Sequence, residues 1–114
     1  GGGAPGRLAE AAFDTLDDRA LANLMDRIDA AMGDVLDIDM DGAVLTIELD
    51  SGAQYVINKH APNRQIWLSS PVSGARHFDF TDNGEWRDTR GKSELHALLA
   101  DELRAATGRA VELP

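Results

Sequence analysis

Leu36-Asp37-Ile38-Asp39-Met40-Asp41-Gly42 is the stretch on which the fold turns. As a loop, it matches the calcium-loop pattern, with aspartates at every second position, Gly42 at the tight turn and Glu48 at the closing position. As a strand, it alternates, with Leu36, Ile38 and Met40 on one face and the carboxylates of Asp37, Asp39 and Asp41 on the other. A calcium loop is flanked by two helices and keeps polar residues or glycine between its ligands. Val44 suits the apolar bridge of such a loop, but Ile38 and Met40 do not suit theirs. The flanks, Val35-Leu36 and Thr46-Ile47-Glu48-Leu49, also have the period of strands. The surroundings favour the strand, which makes the three aspartates an open acidic edge instead of a closed cage.

Upstream, Phe13, Leu16, Leu21, Leu24, Met25, Ile28 and Met32 recur at helical spacing from about Leu8, and Gly33 stops the run. This predicts a long amphipathic helix. Its outer face collects Asp18, Asp26 and Asp29, with Asp14 one turn before Asp18. Downstream the period changes from helix to strand. Asp41-Gly42, Asp50-Ser51-Gly52 and Asp82-Asn83-Gly84 are turn sequences, and connections this short join antiparallel neighbours. The predicted strands are Val35 to Met40, Val44 to Leu49, Gln54 to Asn58, Gln65 to Ser69, Arg76 to Phe80 and Glu85 to Asp88. A second helix is predicted from an N-cap at Ser93 through Leu95, Leu98, Leu99 and Leu103 to Gly108, after which Val111 and Leu113 can return to the core.

These elements predict an α+β two-layer sandwich, with two helices on one face of an antiparallel sheet of five to six strands and the other face open to solvent. Residues 1–7 read as a disordered glycine-rich tail and 8–114 as a single domain. Tyr55 and Ile57, then Ile66 and Leu68, are expected to face inward. Gln54, Val56 and Asn58, and Gln65, Trp67 and Ser69, then face water, with Trp67 exposed. A large aromatic among amides and hydroxyls is a composition typical of contact sites.

The 114 residues suffice for one core without covalent staples, and the absence of cysteine excludes disulfides, thiolate metal sites and a cysteine nucleophile within the chain. Any metal therefore meets oxygen or imidazole. The formal charge of -9 disfavours nucleic acid and anionic membranes and favours cations or basic partner surfaces. No apolar run reaches the roughly 20 residues of a membrane helix. There is no nucleophile with an evident base, no phosphate loop and no paired histidines, so a dedicated catalytic pocket is not expected. His60 is expected in a loop as an ordinary exposed imidazole, and His96 on the second helix as surface filler. His77 lies on the fifth predicted strand.

The run Tyr55-Val56-Ile57-Asn58-Lys59-His60-Ala61-Pro62-Asn63-Arg64-Gln65-Ile66-Trp67-Leu68-Ser69-Ser70-Pro71-Val72-Ser73-Gly74 strongly resembles the central signature of the frataxin family, in its alphaproteobacterial and mitochondrial branch. The resemblance extends upstream through Gly42 to Ile47 and the acidic helix, and downstream through His77-Phe78-Asp79, Trp86 and Leu95 to Leu103. It implies the same two-helix sandwich. It also implies an acidic ridge that binds Fe2+ and Fe3+ weakly, here Asp14, Asp18, Asp26, Asp29, Asp34, Asp37, Asp39 and Asp41. Arg19 and Ala30 stand where relatives are often acidic, which thins this ridge. Carboxylate oxygen is a hard ligand, so manganese, cobalt or calcium should also be accepted. Without the resemblance, an acidic run is simply a solvated face.

A sheet surface docking on the cysteine desulfurase and its iron-sulfur scaffold protein is implied as well, through Asn58, His60, Asn63, Arg64, Gln65, Trp67 and His77. The implied role is that of an iron-binding accessory protein of cluster assembly, as iron donor or regulator. Secondary ferroxidase activity, a monomer with iron-driven oligomers, and a site in the bacterial cytoplasm or the mitochondrial matrix belong to the same implication. The alternative is a protein-interaction regulator of the desulfurase whose acids steer association and hold no iron in the cell.

Overall fold

A long helix, α1 (Glu10–Met32), opens the molecule that the computed structural model describes over residues 10–113, with the backbone alone described for residues 10–17. Its Leu21, Leu24, Ile28 and Met32 follow one another at three- and four-residue steps and are buried, the stripe a helix presents to one layer. The side chains of Phe13, Asp14 and Leu16, and the expected tail at 1–7, lie outside the described residues. Gly33 ends α1: a Cβ there would stand 2.6 Å from the Asp29 carbonyl oxygen, closer than any side chain tolerates. Its N–H instead closes the helix on that carbonyl at 2.9 Å.

Six strands follow: β1 (Asp37–Asp41), β2 (Val44–Glu48), β3 (Gln54–His60), β4 (Gln65–Ser70), β5 (Gly74–Phe80) and β6 (Trp86–Asp88). They form one antiparallel sheet in chain order, a meander with β1 and β6 at its edges. The stretch 37–41 is thus a strand. Asp41 pairs with Val44 across a tight turn in which Gly42 takes φ 60, and Asp37 pairs with Glu48. The residues of the calcium-loop reading are spread along a ladder, and that reading is overturned.

The second helix, α2 (Leu95–Thr107), buries Leu95, Leu99 and Leu103, one residue per turn. With Leu45, Ile47, Tyr55, Ile57, Ile66, Leu68, Phe78 and Trp86 from the sheet, these and the α1 stripe make one continuous core. The architecture is the α+β sandwich with both helices on one sheet face. No described helix is long and apolar enough to cross a membrane.

Several boundaries differ from the sequence expectation, each because a hydrogen bond competes. β1 begins at Asp37, since Val35 N–H is taken by the Met32 carbonyl in the turn after α1. β3 runs on to His60 because Lys59 and His60 pair with Ile66 and Gln65, and β5 starts at Gly74 opposite Ser70. Glu94, not Ser93, caps α2, its Oε1 accepting from the N–H groups of His96 and Ala97. Ser93 is drawn aside because its carbonyl accepts from Asp88 N–H.

A polar network fastens the β4–β5 end to α2. Glu102 Oε1 accepts from the Tyr55 hydroxyl at 2.9 Å and from Ser70 Oγ at 2.6 Å, while its Oε2 accepts from Ser73 Oγ at 2.7 Å. Burial, and then the bond to Glu102, push the Tyr55 hydroxyl well above its ordinary range. Arg76 donates to Ser73 Oγ and pairs with the buried Asp88 at 2.6 Å. Burial raises the Asp88 carboxyl, but the Arg90 N–H and the Arg76 guanidinium outweigh it and hold the group low. Few of these bonds are visible in periodicity, since they join residues up to 47 positions apart.

Candidate functional site

Strand alternation sends Leu45, Ile57, Leu68 and Phe78 to the helices, and their neighbours to the opposite face. Register then orders that face into rows. One row reads Asp41, Val44, Asn58, Trp67, His77 across five strands, each member the direct cross-strand partner of the next. The row beside it reads Asp39, Thr46, Val56, Ser69, Ala75. The acidic edge and the Trp67 region therefore lie on one continuous surface, three strand spacings or about 14 Å apart.

Trp67 is more enclosed than the sequence reading expects. It is half-buried, and its indole lies between two imidazoles, His60 at a ring-centre distance of 3.7 Å and 8° between planes, and His77 at 4.1 Å and 7°. Both faces of the indole are covered, so what it offers outward is its edge. The ring is also fixed in plane: Nε1 donates to Gln65 Oε1 at 2.9 Å, and Gln65 Nε2 donates to Asp79 Oδ1 at 3.0 Å. Asn58, directly opposite Trp67, turns its amide to the Lys59 carbonyl at 3.2 Å.

His60 is not an exposed loop residue. It closes β3, half-buried, because two further ladder pairs carry the strand past Asn58. The chain then makes a 3-10 turn, Ala61–Asn63, and leaves it through Arg64 at φ 52, the one non-glycine residue with positive φ among those described. Asn63 is exposed on that turn, while Arg64 is half-buried with Nε unpartnered. His96 departs from its expected role as surface filler: it is largely buried and its Nδ1 lies 2.7 Å from Glu94 Oε2, behind the cap of α2.

The ridge is looser. Asp18, Asp26 and Asp29 on α1, Asp34 after it, and Asp37, Asp39 and Asp41 on β1 are all exposed, and the backbone at Asp14 continues the same helix. Asp26 and Asp29 are neighbours on one helix face, whereas Asp18 lies about 12 Å further along the axis. The β1 aspartates stand about 7 Å apart, every second residue of an extended strand. Two members are already engaged. Lys59 reaches Asp18 at 3.6 Å, and Arg109 grips Asp34 through both nitrogens at 2.5 and 2.9 Å. The Arg109 guanidinium beside Asp34 holds its carboxyl below the usual carboxylate range. Among the described residues no three acidic or histidine side chains gather closely enough to cage a metal.

Sequence reasoning missed Lys59, Arg109 and Asp79 as partners of the site. Lys59 and Arg109 sit 41 and 75 residues from the acids they pair with, a contact no local pattern signals. Asp79 was within reach, since it shares strand parity with His77.

The fold and this face define the class, an antiparallel meander backed by two helices whose acidic edge runs into an aromatic row. The frataxin-like domain model matches residues 6–109. The mitochondrial frataxin of Arabidopsis thaliana is 40% identical over 111 residues, covering 93% of this chain and 59% of its own length. The iron-sulfur cluster assembly protein CyaY of Neisseria meningitidis is 36% identical over 94% of this chain and 90% of its own. The chain thus spans little more than half of the mitochondrial relative and nearly all of the bacterial one. Among solved structures, the frataxin of Psychromonas ingrahamii superposes with a TM-score of 0.81 at 26% identity, over 92% of this chain and 97% of its own. A trimeric frataxin from Saccharomyces cerevisiae, complexed with ferrous iron, gives 0.68 at 35% identity, over 92% and 93%. The chain belongs to the frataxin family.

Proposed function

We propose that this protein serves iron-sulfur cluster assembly by carrying iron exchangeably on the ridge and docking through the Trp67 row on a cysteine desulfurase and scaffold protein, as iron donor or regulator. The observation that carries this reading is the continuity of the row from Asp41 to Trp67, which lets one partner surface meet both the acids and the indole edge. Iron is cargo here. Exposed hard oxygen ligands without a cage favour weak, exchangeable binding of Fe2+ and Fe3+, and they accept other divalent cations too. They favour the ferric ion, which suits a secondary ferroxidase activity. The yeast relative's structure with ferrous iron supports iron as the cargo, and its trimer supports oligomers; in this reading the chain is a monomer that iron drives to assemble. The site of action is the bacterial cytoplasm or the mitochondrial matrix, a reading supported by relatives that are bacterial and mitochondrial proteins.

Anaerobic Fe2+ titration followed by backbone amide signals is expected to perturb Asp26, Asp29, Asp37, Asp39 and Asp41 and to spare Trp67. A ridge that stays silent removes iron from the proposal. Trp67→Ala is expected to weaken docking on the matched desulfurase and scaffold by at least about 2 kcal/mol, roughly 30-fold, as central aromatic anchors do. Unchanged affinity overturns the docking half.

The second reading, a regulator that holds no iron, draws support from the ion pairs that already occupy Asp18 and Asp34. Replacing Asp37, Asp39 and Asp41 by Asn separates the two. Loss of partner affinity with metal affinity intact favours the regulator. Loss of both favours the carrier. A reconstituted sulfide-production assay, with and without this protein and iron, then reads the direction of control.

A further inference from the structure

The two edges of the sheet are finished differently. Beyond β6 the chain turns back, and a bridge between Arg87 and Glu94 occupies that edge. Beyond β1, no strand is paired among the described residues. The register shows which backbone groups this leaves open. The Ala43 carbonyl accepts from the Lys59 N–H, so Ala43 and, by alternation, Leu45 and Ile47 turn their backbone groups toward β3. Val44, Thr46 and Glu48 therefore turn theirs toward β1, where they meet Asp41, Asp39 and Asp37. Ile38 and Met40 remain, each directing an N–H and a C=O out of the sheet with no backbone partner among the described residues.

The side chains at this edge are as unfinished as the backbone. Leu45 and Ile47, directly opposite Met40 and Ile38 on the face toward the helices, are fully buried. Ile38 and Met40 pack on the same core but are only partly covered, because no strand lies beyond them. On the other face of β1, Asp37, Asp39 and Asp41 are all exposed.

Open backbone groups along an edge are a template for another strand, and sheets commonly blunt such edges with charge. Here the charge also selects. A second copy adding antiparallel through its own β1 would set carboxylate against carboxylate, and like charges directly opposite are destabilising. A strand with a base at every second residue would instead place each base across from an aspartate. Its apolar residues between would complete the cover over Ile38 and Met40.

We propose that β1 is a strand-addition site for an extended segment of a partner protein, about five residues long, with Lys or Arg at alternate positions and apolar residues between. This goes beyond the docking reading, since it engages backbone groups at the sheet edge, three strands from Trp67, and requires neither the indole nor iron.

The test uses the whole chain at low salt with the capped peptide Lys-Val-Lys-Thr-Lys-Val-Lys, following backbone amide signals, hydrogen exchange and affinity. With peptide bound, the Ile38 and Met40 amides are expected to shift and to exchange at least about tenfold more slowly, as amides newly hydrogen-bonded in a ladder do. The Trp67 indole N–H should stay still. A peptide of the same composition with its lysines in one block keeps the charge but loses the period. It should bind roughly tenfold more weakly, the loss expected for three cross-strand ion pairs, and leave Ile38 and Met40 unprotected. Replacing Asp37, Asp39 and Asp41 by Asn should weaken the alternating peptide by a similar factor. No binding, equal binding of the two peptides, or binding without protection at Ile38 and Met40 overturns strand addition. Protection that grows with protein concentration in the absence of peptide assigns the edge to a second copy and overturns it as well. Because neither desulfurase nor scaffold takes part, failure of the docking reading leaves this result untouched.

Discussion

Asp37, Asp39 and Asp41 stand exposed along an edge strand, whereas Trp67, three strands inward on the same face, is held by two stacked rings and a hydrogen bond. The edge acts through charge, at long range, and is weakened by salt. The centre acts through shape, with its indole oriented before any partner arrives, which lowers the ordering cost of association. In the proposed function, one face thus combines a steering surface with a preorganised contact.

The largest expected effect lies beneath the built region. Arg76→Ala leaves Asp88 buried without its cation and should destabilise the fold by about 3 kcal/mol, near the lower bound for breaking a buried pair because Arg76 is partly exposed. Urea unfolding should show a lower midpoint at unchanged slope. Next comes Trp67→Ala, which removes two ring stacks from a half-buried site. About 1 to 2 kcal/mol should be lost, with the fold retained and the His60 and His77 ring signals displaced. A stability change under half of that would mean that the stack positions nothing.

Acid should then loosen the same corner. The Asp88 carboxyl is held below its unfolded value, so its contribution is complete above about pH 4 and is lost as pH falls toward the folded value. The part of the urea midpoint that Asp88 supplies should hold from about pH 7 to about pH 4 and fall from about pH 4 to about pH 3, and Asp34 adds in the same sense. The ridge should respond least. Asn at 37, 39 and 41 should shift stability by no more than about 0.5 kcal/mol, upward at low salt as mutual repulsion is relieved, and the shift should vanish at high salt. Arg109→Gln sharpens the contrast without touching the fold's centre. It frees Asp34, whose amide should then join those that respond to added Mn2+.

Much of this molecule was legible in its residues. The leucine spacing in both helices and the alternation around Asp37 and Asp39 led directly to a two-layer sandwich, because burial of one face imposes a period of 3.6 or 2 on the chain. Short Asp-Gly and Asn-Gly turns dictated the meander. The signature from Tyr55 to Gly74 pointed to the family, which the matches to its members then bore out. The cap of α2 was misplaced by one residue because Ser93 and Glu94 both have oxygens to offer, and only the bridge between Arg87 and Glu94 decides between them.

Sequence by itself determined the acidic character of the edge, the identity of the core stripes and the order of the strands, since these follow from local period and composition. Tertiary structure alone decided that His60 and His77 close on Trp67, that Arg109 claims Asp34 and Lys59 meets Asp18, and that Glu102 gathers three hydroxyls from two strand ends and a turn. The reason is physical: these contacts join side chains distant in sequence, and their partners are chosen by register and helix docking, which no window along the chain contains.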